Sequence, residues 1–371
     1  MHKILIILTL IFSINFAQKK PKKIPHEFTT IINLETTPVK YQGQTGTCWA
    51  FATSSFWESE LMRLGKSGYD ISEMYIARRA YEMKAENYIR FHGKTQFDEG
   101  GQAHDVLAVI KKYGFVPQTV YPEIRNENGK LNHREAVSVM KGILNGVLKN
   151  SSKTISGNWK KVISATLDIY FGEVPEKFVY NGKEYTPQSF AKESGLNPDD
   201  YIEITSYTHH PFYEKFVLEV PDNWMYAGYY NVPLDDLMAI IDYALENGYT
   251  VDWDGDTGRD NFYRKKGYAV VPVDDKQSGD EPEVEKFITQ EMRQRAFDNF
   301  DVTDDHLMHI TGLAKNQKGT KFYYTKNSWG TKDKKFGGFW YMSESYVRLK
   351  TVAIMVHKNA VPPGIRKKLG I

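Results

Sequence analysis

The chain has 371 residues, 41% hydrophobic and 14% aromatic, and is long enough to bury a large core. Its 48 Lys and Arg residues nearly balance its 46 Asp and Glu residues, so the charge gives no support for a nucleic-acid partner. The single cysteine excludes an internal disulfide and a cysteine-based zinc site. No apolar run after the N-terminus is long enough for stable membrane insertion. We predict no cofactor and no metal site, and we expect no ligand set around His209 and His210.

The N-terminus predicts export. Residues 1–3 are positively charged, residues 4–14 form an almost unbroken apolar run, and Ala17 offers a cleavage point. This pattern is typical of a secretory signal peptide over residues 1–17, followed by a basic linker over residues 18–30. The alternative is an N-terminal membrane anchor, for which the run is short. The expected location is therefore periplasmic or secreted.

The only cysteine, Cys48, lies where a polar, glycine-rich loop meets a predicted helix. Residues 50–65 carry apolar side chains at helical spacing and end in a glycine. A helix N-terminus stabilises negative charge and lowers the pKa of a thiol, so the position suits a reactive thiolate. The alternative is a buried, inert cysteine. The flanking Gln42 and Trp49 favour the thiolate.

Further elements follow in order along the chain. Ser72 is a suitable N-cap for a second helix, and the pair Gly100-Gly101 precedes a third. Paired glycines let a ligand approach the backbone closely. The stretch 123–233 reads as a structured insertion. Its predicted elements are helices over 134–150 and 159–171, a hairpin with an Asn-Gly turn over 178–185, and a helix that opens at Pro187.

The C-terminal part of the chain predicts a helix followed by strands. Apolar residues of the segment 234–247 share one helical face, and Gly248 ends it. The expected strands cover residues 249–254, 310–313, 322–326, 338–342 and 352–356. We expect these strands to form an antiparallel, barrel-like unit.

The order of the motifs resembles that of the papain-like cysteine peptidases. Gln42 and a Gly-rich loop precede Cys48-Trp49, and Asn327-Ser328-Trp329-Gly330 follows a predicted strand. The insertion after residues 121–122 makes the chain most similar to bleomycin hydrolase and bacterial aminopeptidase C. This resemblance extends from Pro38 to the C-terminus. Thr45 stands where many secreted members place a disulfide cysteine.

The resemblance implies an α+β fold with two lobes. A helical lobe over residues 31–122 would carry the nucleophile. A lobe over residues 234–356, rich in antiparallel strands, would carry the histidine and the asparagine. The mainly helical insertion, residues 123–233, would form a subdomain between them, and residues 357–371 would form a C-terminal tail.

The resemblance also implies the roles of the site residues. Cys48 would attack the substrate carbonyl, while an N–H group of Gln42 and the backbone N–H of Cys48 would stabilise the oxyanion. Two histidines compete for the role of base. We favour His309, which heads a predicted strand, and interpret His306 as a surface or supporting histidine. Asn327 would orient the base, and Trp329 would shield their hydrogen bond from water.

The same resemblance implies an aminopeptidase that hydrolyses N-terminal residues of peptides. Gly100 and Gly101 would pair with the extended substrate, and the carboxylate of Ile371 would meet its free amine. The alternative for the tail is a frayed terminus. The alternative functions are a papain-like endopeptidase and, from another class, a non-catalytic peptide-binding relative. Relatives of this kind form hexamers, so a homo-oligomer is a further expectation.

Overall fold

A computed structural model describes residues 25–371 except 126, 153, 259–260, 275–280 and 283. The predicted signal peptide, residues 1–17, and most of the linker lie outside the described residues. Within the described part, no helix is both long and apolar enough to cross a membrane.

Ten helices and thirteen strands make up the described chain. The helices are α1 (Cys48–Arg63), α2 (Glu73–Arg90), α3 (Ala103–Tyr113), α4 (Arg134–Leu148), α5 (Asn158–Phe171), α6 (Pro187–Ser194), α7 (Leu234–Glu246), α8 (Gln290–Asp298), α9 (Glu344–Lys350) and α10 (Pro363–Leu369). The strands are β1 (Phe28–Asn33), β2 (Phe178–Tyr180), β3 (Lys183–Tyr185), β4 (Tyr201–Thr205), β5 (Lys215–Val217), β6 (Gly228–Asn231), β7 (Val251–Gly255), β8 (Phe262–Tyr263), β9 (Tyr268–Ala269), β10 (His306–Asn316), β11 (Lys321–Lys326), β12 (Phe339–Ser343) and β13 (Thr351–His357).

The expected α+β fold with a helical lobe and a β-rich lobe is confirmed. Eleven strands form one sheet in which ten follow the order β5-β6-β4-β13-β7-β10-β11-β12-β9-β8, and β1 pairs with the second half of β10, beyond the residues that pair with β7. Most neighbours are antiparallel, as expected, but β4–β6 and β9–β12 run parallel. One apolar core lies among the helices of the first lobe, and a second lies between the sheet and α7, α9 and α10.

Local sequence signals account for several of the element boundaries. The Ser72 hydroxyl accepts a hydrogen bond from Tyr75 N at 3.1 Å and so caps α2. In the β2–β3 turn, Asn181 and Gly182 adopt φ angles of 49° and 78°, the left-handed conformation that an Asn-Gly hairpin turn requires. The Thr186 hydroxyl caps α6 through Ser189 N at 3.1 Å, with Pro187 at the first helical position.

The insertion is shared between the two lobes. Its helices α4, α5 and α6 pack into the apolar core of the helical lobe. Its strands β4, β5 and β6 instead extend the large sheet, because β4 pairs with β13. A loop over residues 218–227 connects β5 to β6 and returns toward the helical lobe, where Asn87 Nδ2 donates to Trp224 O at 2.6 Å.

The C-terminal tail folds as a helix against the β-rich lobe. Ile365 and Leu369 on α10 are both 7% exposed and belong to the core of that lobe. Gly370 ends the helix in the left-handed conformation, and Ile371 N donates to Arg366 O at 3.3 Å. The tail is therefore ordered by its own packing.

His133 at the start of α4 provides a test of this packing. The side chain is 3% exposed and lies against Phe171, and burial lowers its pKa to about 3. A histidine that is neutral when folded and charged when unfolded contributes stability above pH 6.5 that is lost as the pH falls. Between pH 7 and pH 5 this loss is about 2 kcal/mol.

The free energy of unfolding of wild type should fall between pH 7 and pH 5. We expect this fall to be about 2 kcal/mol smaller in His133→Gln. Urea denaturation at each pH measures it. His92→Asn, which changes an exposed histidine at the end of α2, is the control and should leave the decline unchanged. An identical decline in wild type and His133→Gln would contradict the assigned protonation.

Candidate active site

Cys48 is the first residue of α1 and is 9% exposed. At this position its backbone N–H has no acceptor within the helix. Thr47 O accepts from Ala50 N at 3.0 Å, which starts the helix. The next residue, Trp49, donates from Nε1 to Glu99 O at 3.0 Å and so holds the loop before Gly100 beside the cysteine.

Gln42 is fixed by three hydrogen bonds. Its backbone N donates to Ser328 O at 2.9 Å, its Oε1 accepts from Ser328 Oγ at 2.6 Å, and its Nε2 donates to Thr45 O at 2.8 Å. A primary amide has two N–H groups, so one donor remains on Nε2. Thr45, where relatives place a disulfide cysteine, therefore orients Gln42 through a hydrogen bond.

His306 makes the contact that was expected of the base. Its Nε2 lies 2.9 Å from Asn327 Oδ1, and its ring stacks on Trp329 with 4.8 Å between ring centroids. Because a carbonyl oxygen only accepts, Nε2 carries the proton of this bond. In the neutral imidazole Nδ1 is then left as an acceptor.

The prediction that His309 pairs with Asn327 is wrong. His309 is 1% exposed, and its Nδ1 lies 3.0 Å from Ser55 Oγ in the middle of α1. The ring also contacts Phe56 edge-on. His309 is thus an interior histidine between the two lobes.

Strand geometry explains why His306, and not His309, contacts Asn327. The strand β10 begins three residues earlier than expected, at His306, and residues three apart on a strand face opposite sides. Because His309 pairs with Lys326, Asn327 lies opposite residues that precede His309. A bulge between Ile310 and Gly312 shifts the register of this hairpin, so counting residues back from its turn could not have identified His306.

The thiol of Cys48 lies against the backbone of β10 at Leu307, the residue after His306. The N–H of Leu307 lies within hydrogen-bonding reach of Cys48 and lowers the pKa of its thiol. Burial dominates, however, and together with the charges of Asp222 and Asp254 it raises this pKa to about 12. Burial also lowers the pKa of His306 to about 4, against the opposing effect of Asn327. Burial thus disfavours the charged form of both the Cys48 thiol and the His306 imidazole.

The glycine pair lies against carboxylates. A Cβ at Gly100 would overlap the carboxylate of Asp222, and one at Gly101 would lie 2.5 Å from Asp105 Oδ2. A side chain at either position would have to displace these carboxylates. Asp222 is a residue that the sequence analysis missed, because it belongs to the loop between β5 and β6, more than a hundred residues further along the chain.

Ile371 does not lie with the other predicted site residues. It lines a surface groove with His104, Tyr201 and Lys358. Met225 and Ala227 of the 218–227 loop line the same groove, whereas Asp222 of that loop faces Gly100. The loop thus lies between the end of the chain and the glycine pair.

Comparison with known proteins decides the family. Residues 76–370 match the Peptidase C1-like family, which covers most of the chain. The chain belongs to the Peptidase C1-like family. This membership and the Cys48, His306 and Asn327 geometry together confirm the predicted kinship with cysteine peptidases.

Members of the family resemble the chain over almost its whole length. Aminopeptidase G from Lactobacillus delbrueckii subsp. lactis is 24% identical, over 93% of this chain and 86% of its own length. Bleomycin hydrolase from Mus musculus is 24% identical, over 91% and 84%. A crystal structure of PepW from Lactobacillus rhamnosis HN001 superposes with a TM-score of 0.74 at 20% identity, over 92% of this chain and 84% of that one, and supports the fold.

A buried polar network joins the two lobes beneath the cleft of this C1-like peptidase. Lys326 Nζ from β11 donates to Ser55 Oγ at 2.7 Å and to Thr37 Oγ1 at 2.9 Å. Thr37 Oγ1 in turn donates to Glu58 Oε2 on α1 at 2.5 Å. The network fixes α1 against the hairpin that carries Asn327.

Three side chains with metal-ligating groups also meet, although none was expected around the histidine pair. His209 Nε2 and His210 Nε2 lie 3.1 and 2.7 Å from the two carboxylate oxygens of Glu219. These contacts satisfy the three groups mutually at the surface, away from the cysteine.

Ser55 is the member of the network that can be tested most sharply. Ser55→Ala removes the hydrogen bond of His309 Nδ1 and one of the two hydrogen bonds of the buried Lys326 Nζ, so the free energy of unfolding should fall by about 2 kcal/mol. The neighbouring Ser54 is fully buried on the same helix, and its hydroxyl has no partner in the described part of the chain.

Ser54→Ala is therefore the matched control and should change the free energy by less than about 0.5 kcal/mol. Urea denaturation of both variants gives the comparison. Equal stability of Ser55→Ala and Ser54→Ala would show that the network does not hold the lobes together.

Proposed function

We propose that the chain is a cysteine aminopeptidase that removes N-terminal residues from peptides, with Cys48 as nucleophile and His306 as base. The observation that carries the proposal is the hydrogen bond from His306 Nε2 to Asn327 Oδ1 under the ring of Trp329. It leaves Nδ1 free to accept a proton. The names of the relatives, among them aminopeptidases G, E and C, support the substrate class.

The mechanism follows from these positions. His306 Nδ1 takes the thiol proton of Cys48, and the thiolate attacks the scissile carbonyl. The remaining N–H of Gln42 Nε2 and the backbone N–H of Cys48 donate to the oxyanion. The imidazolium then protonates the leaving amine, and water hydrolyses the thioester. Asn327 holds the ring of His306 through each step.

Variants of the two histidines test which one is the base. His306→Ala should lower kcat/KM on an aminoacyl arylamide about 10³-fold or more, because no group then accepts the thiol proton. His309→Gln is the control and should retain most of the activity of the folded enzyme. Cys48→Ala should abolish hydrolysis. Loss of activity in His309→Gln with retention in His306→Ala would contradict the assignment.

The alternatives are separated by the choice of substrate and by chemical labelling. A papain-like endopeptidase would cleave an N-blocked peptide as well as a free one. A non-catalytic peptide-binding relative would bind peptides without forming a thioester. Labelling of Cys48 by an epoxide-type thiol inhibitor, suppressed in His306→Ala, would exclude the non-catalytic relative.

Export of the enzyme is part of the proposal and rests on the charge and apolar pattern of residues 1–17. Expression of the full chain should give a periplasmic or secreted product that begins near Gln18, as N-terminal sequencing can show. A product in the cytosol that retains residue 1 would contradict export. Assembly into a homo-oligomer, hexameric in relatives, stays a prediction.

A further inference from the structure

The loop between β5 and β6 lies against Gly100, one of the two glycines predicted to pair with the substrate. Asp222 on this loop lies so close to Gly100 that a Cβ there would overlap its carboxylate. Gln96 Nε2 donates to Asp222 Oδ1, and Asp222 N donates to Asp304 Oδ2 at 2.9 Å. These contacts hold the carboxylate where an extended chain would otherwise continue along the glycine pair.

Two further carboxylates, of Asp254 and Asp304, lie near Asp222. Asp254 is 4% exposed, and neither of its carboxylate oxygens has a hydrogen-bond partner in the described part of the chain. Burial and the charges of Asp304 and Asp222 raise the pKa of Asp254 well above its usual range, and the charges of Asp222 and Asp254 help to raise that of the Cys48 thiol, so these groups lie near one another. Buried carboxylates without partners are costly and point to a cation that joins them.

The neighbouring lysine does not fill this role. Lys84 is buried, and its Nζ donates to Asp98 O at 2.9 Å and to the carbonyl oxygen of Gly100. Its ammonium is therefore held by backbone oxygens. It lowers the pKa of Asp222, but burial and Asp304 together still raise that pKa to about 7.

We infer that Asp222, supported by Asp254 and Asp304, binds the free α-ammonium group of the substrate and so limits cleavage to the amino end of a peptide. The inference rests on the proposed function and names the group that sets its specificity. Asp222 has an intermediate exposure, so its carboxylate can be reached from the cleft. An ammonium offers three donors for charge-assisted hydrogen bonds, which suits two or three convergent carboxylates.

The same contact links substrate binding to the nucleophile. The charges of Asp222 and Asp254 oppose ionisation of the Cys48 thiol. A bound ammonium offsets these charges and favours the thiolate only when a substrate with a free amine is present. The C-terminus is not needed for this recognition, because Ile371 lies in the groove on the other side of the loop.

The test compares an aminoacyl arylamide with its N-acetyl counterpart. Wild type should prefer the free amine. Asp222→Asn keeps the shape and the acceptor for Gln96, and it should lower kcat/KM for the free amine about 30-fold or more without lowering it for the N-acetyl substrate. Asp98→Asn removes an equal charge from an exposed position two residues before Gly100 and should change neither value.

Each outcome separates the inference from the proposed function. If Asp222→Asn still prefers the free amine as wild type does, the inference is overturned but the proposed aminopeptidase function stands. The same conclusion follows if deletion of Gly370 and Ile371 abolishes the preference for the free amine. Failure of wild type to hydrolyse either substrate would overturn both. Should Asp222→Asn not fold, Asp304→Asn carries the same test, and an unchanged preference there would likewise contradict the role of the carboxylates.

Discussion

The structure depends on the burial of α1 against β10. Every residue of α1 from Cys48 to Leu61 is buried, and polar groups within the contact are joined by hydrogen bonds. Ser55 meets both His309 and Lys326, and Glu58 accepts from Thr37 and from Ile71 N at 2.8 Å. Because buried polar groups are costly when unpaired, this contact tolerates one alignment of helix and strand. That alignment places the first residue of the helix beside the first residues of the strand.

Local signals in the sequence were sufficient to predict most helices and strands and most of the residues of the active site. Helix caps such as Ser72 and Thr186, the Asn-Gly turn, and the Asn327-Ser328-Trp329-Gly330 segment each act over a few residues and were predicted. The choice between His306 and His309 required the register of a hairpin, which depends on where a strand begins. Asp222 could not be predicted, because its contact with Gly100 joins distant parts of the chain.

The position of Asp222 changes the account of substrate specificity. Resemblance to aminopeptidase C assigns recognition of the amine to the C-terminal carboxylate. Here α10 packs into the β-rich lobe, and an internal loop presents a carboxylate to the glycine pair instead. Gly100, which was predicted to pair with the substrate, is covered by the carboxylate of Asp222. Nucleophile, base and amine recognition then depend on three segments that meet at the α1–β10 contact.

A crystal structure of the enzyme alkylated at Cys48 by an aminoacyl halomethyl ketone tests this account most directly. The inhibitor carries a free amine at the distance that one N-terminal residue sets from the thiol. We predict that its ammonium nitrogen lies about 3 Å from a carboxylate oxygen of Asp222, with His306 still bonded to Asn327. An ammonium directed to solvent or to the carboxylate of Ile371, farther than about 4 Å from Asp222, would contradict it.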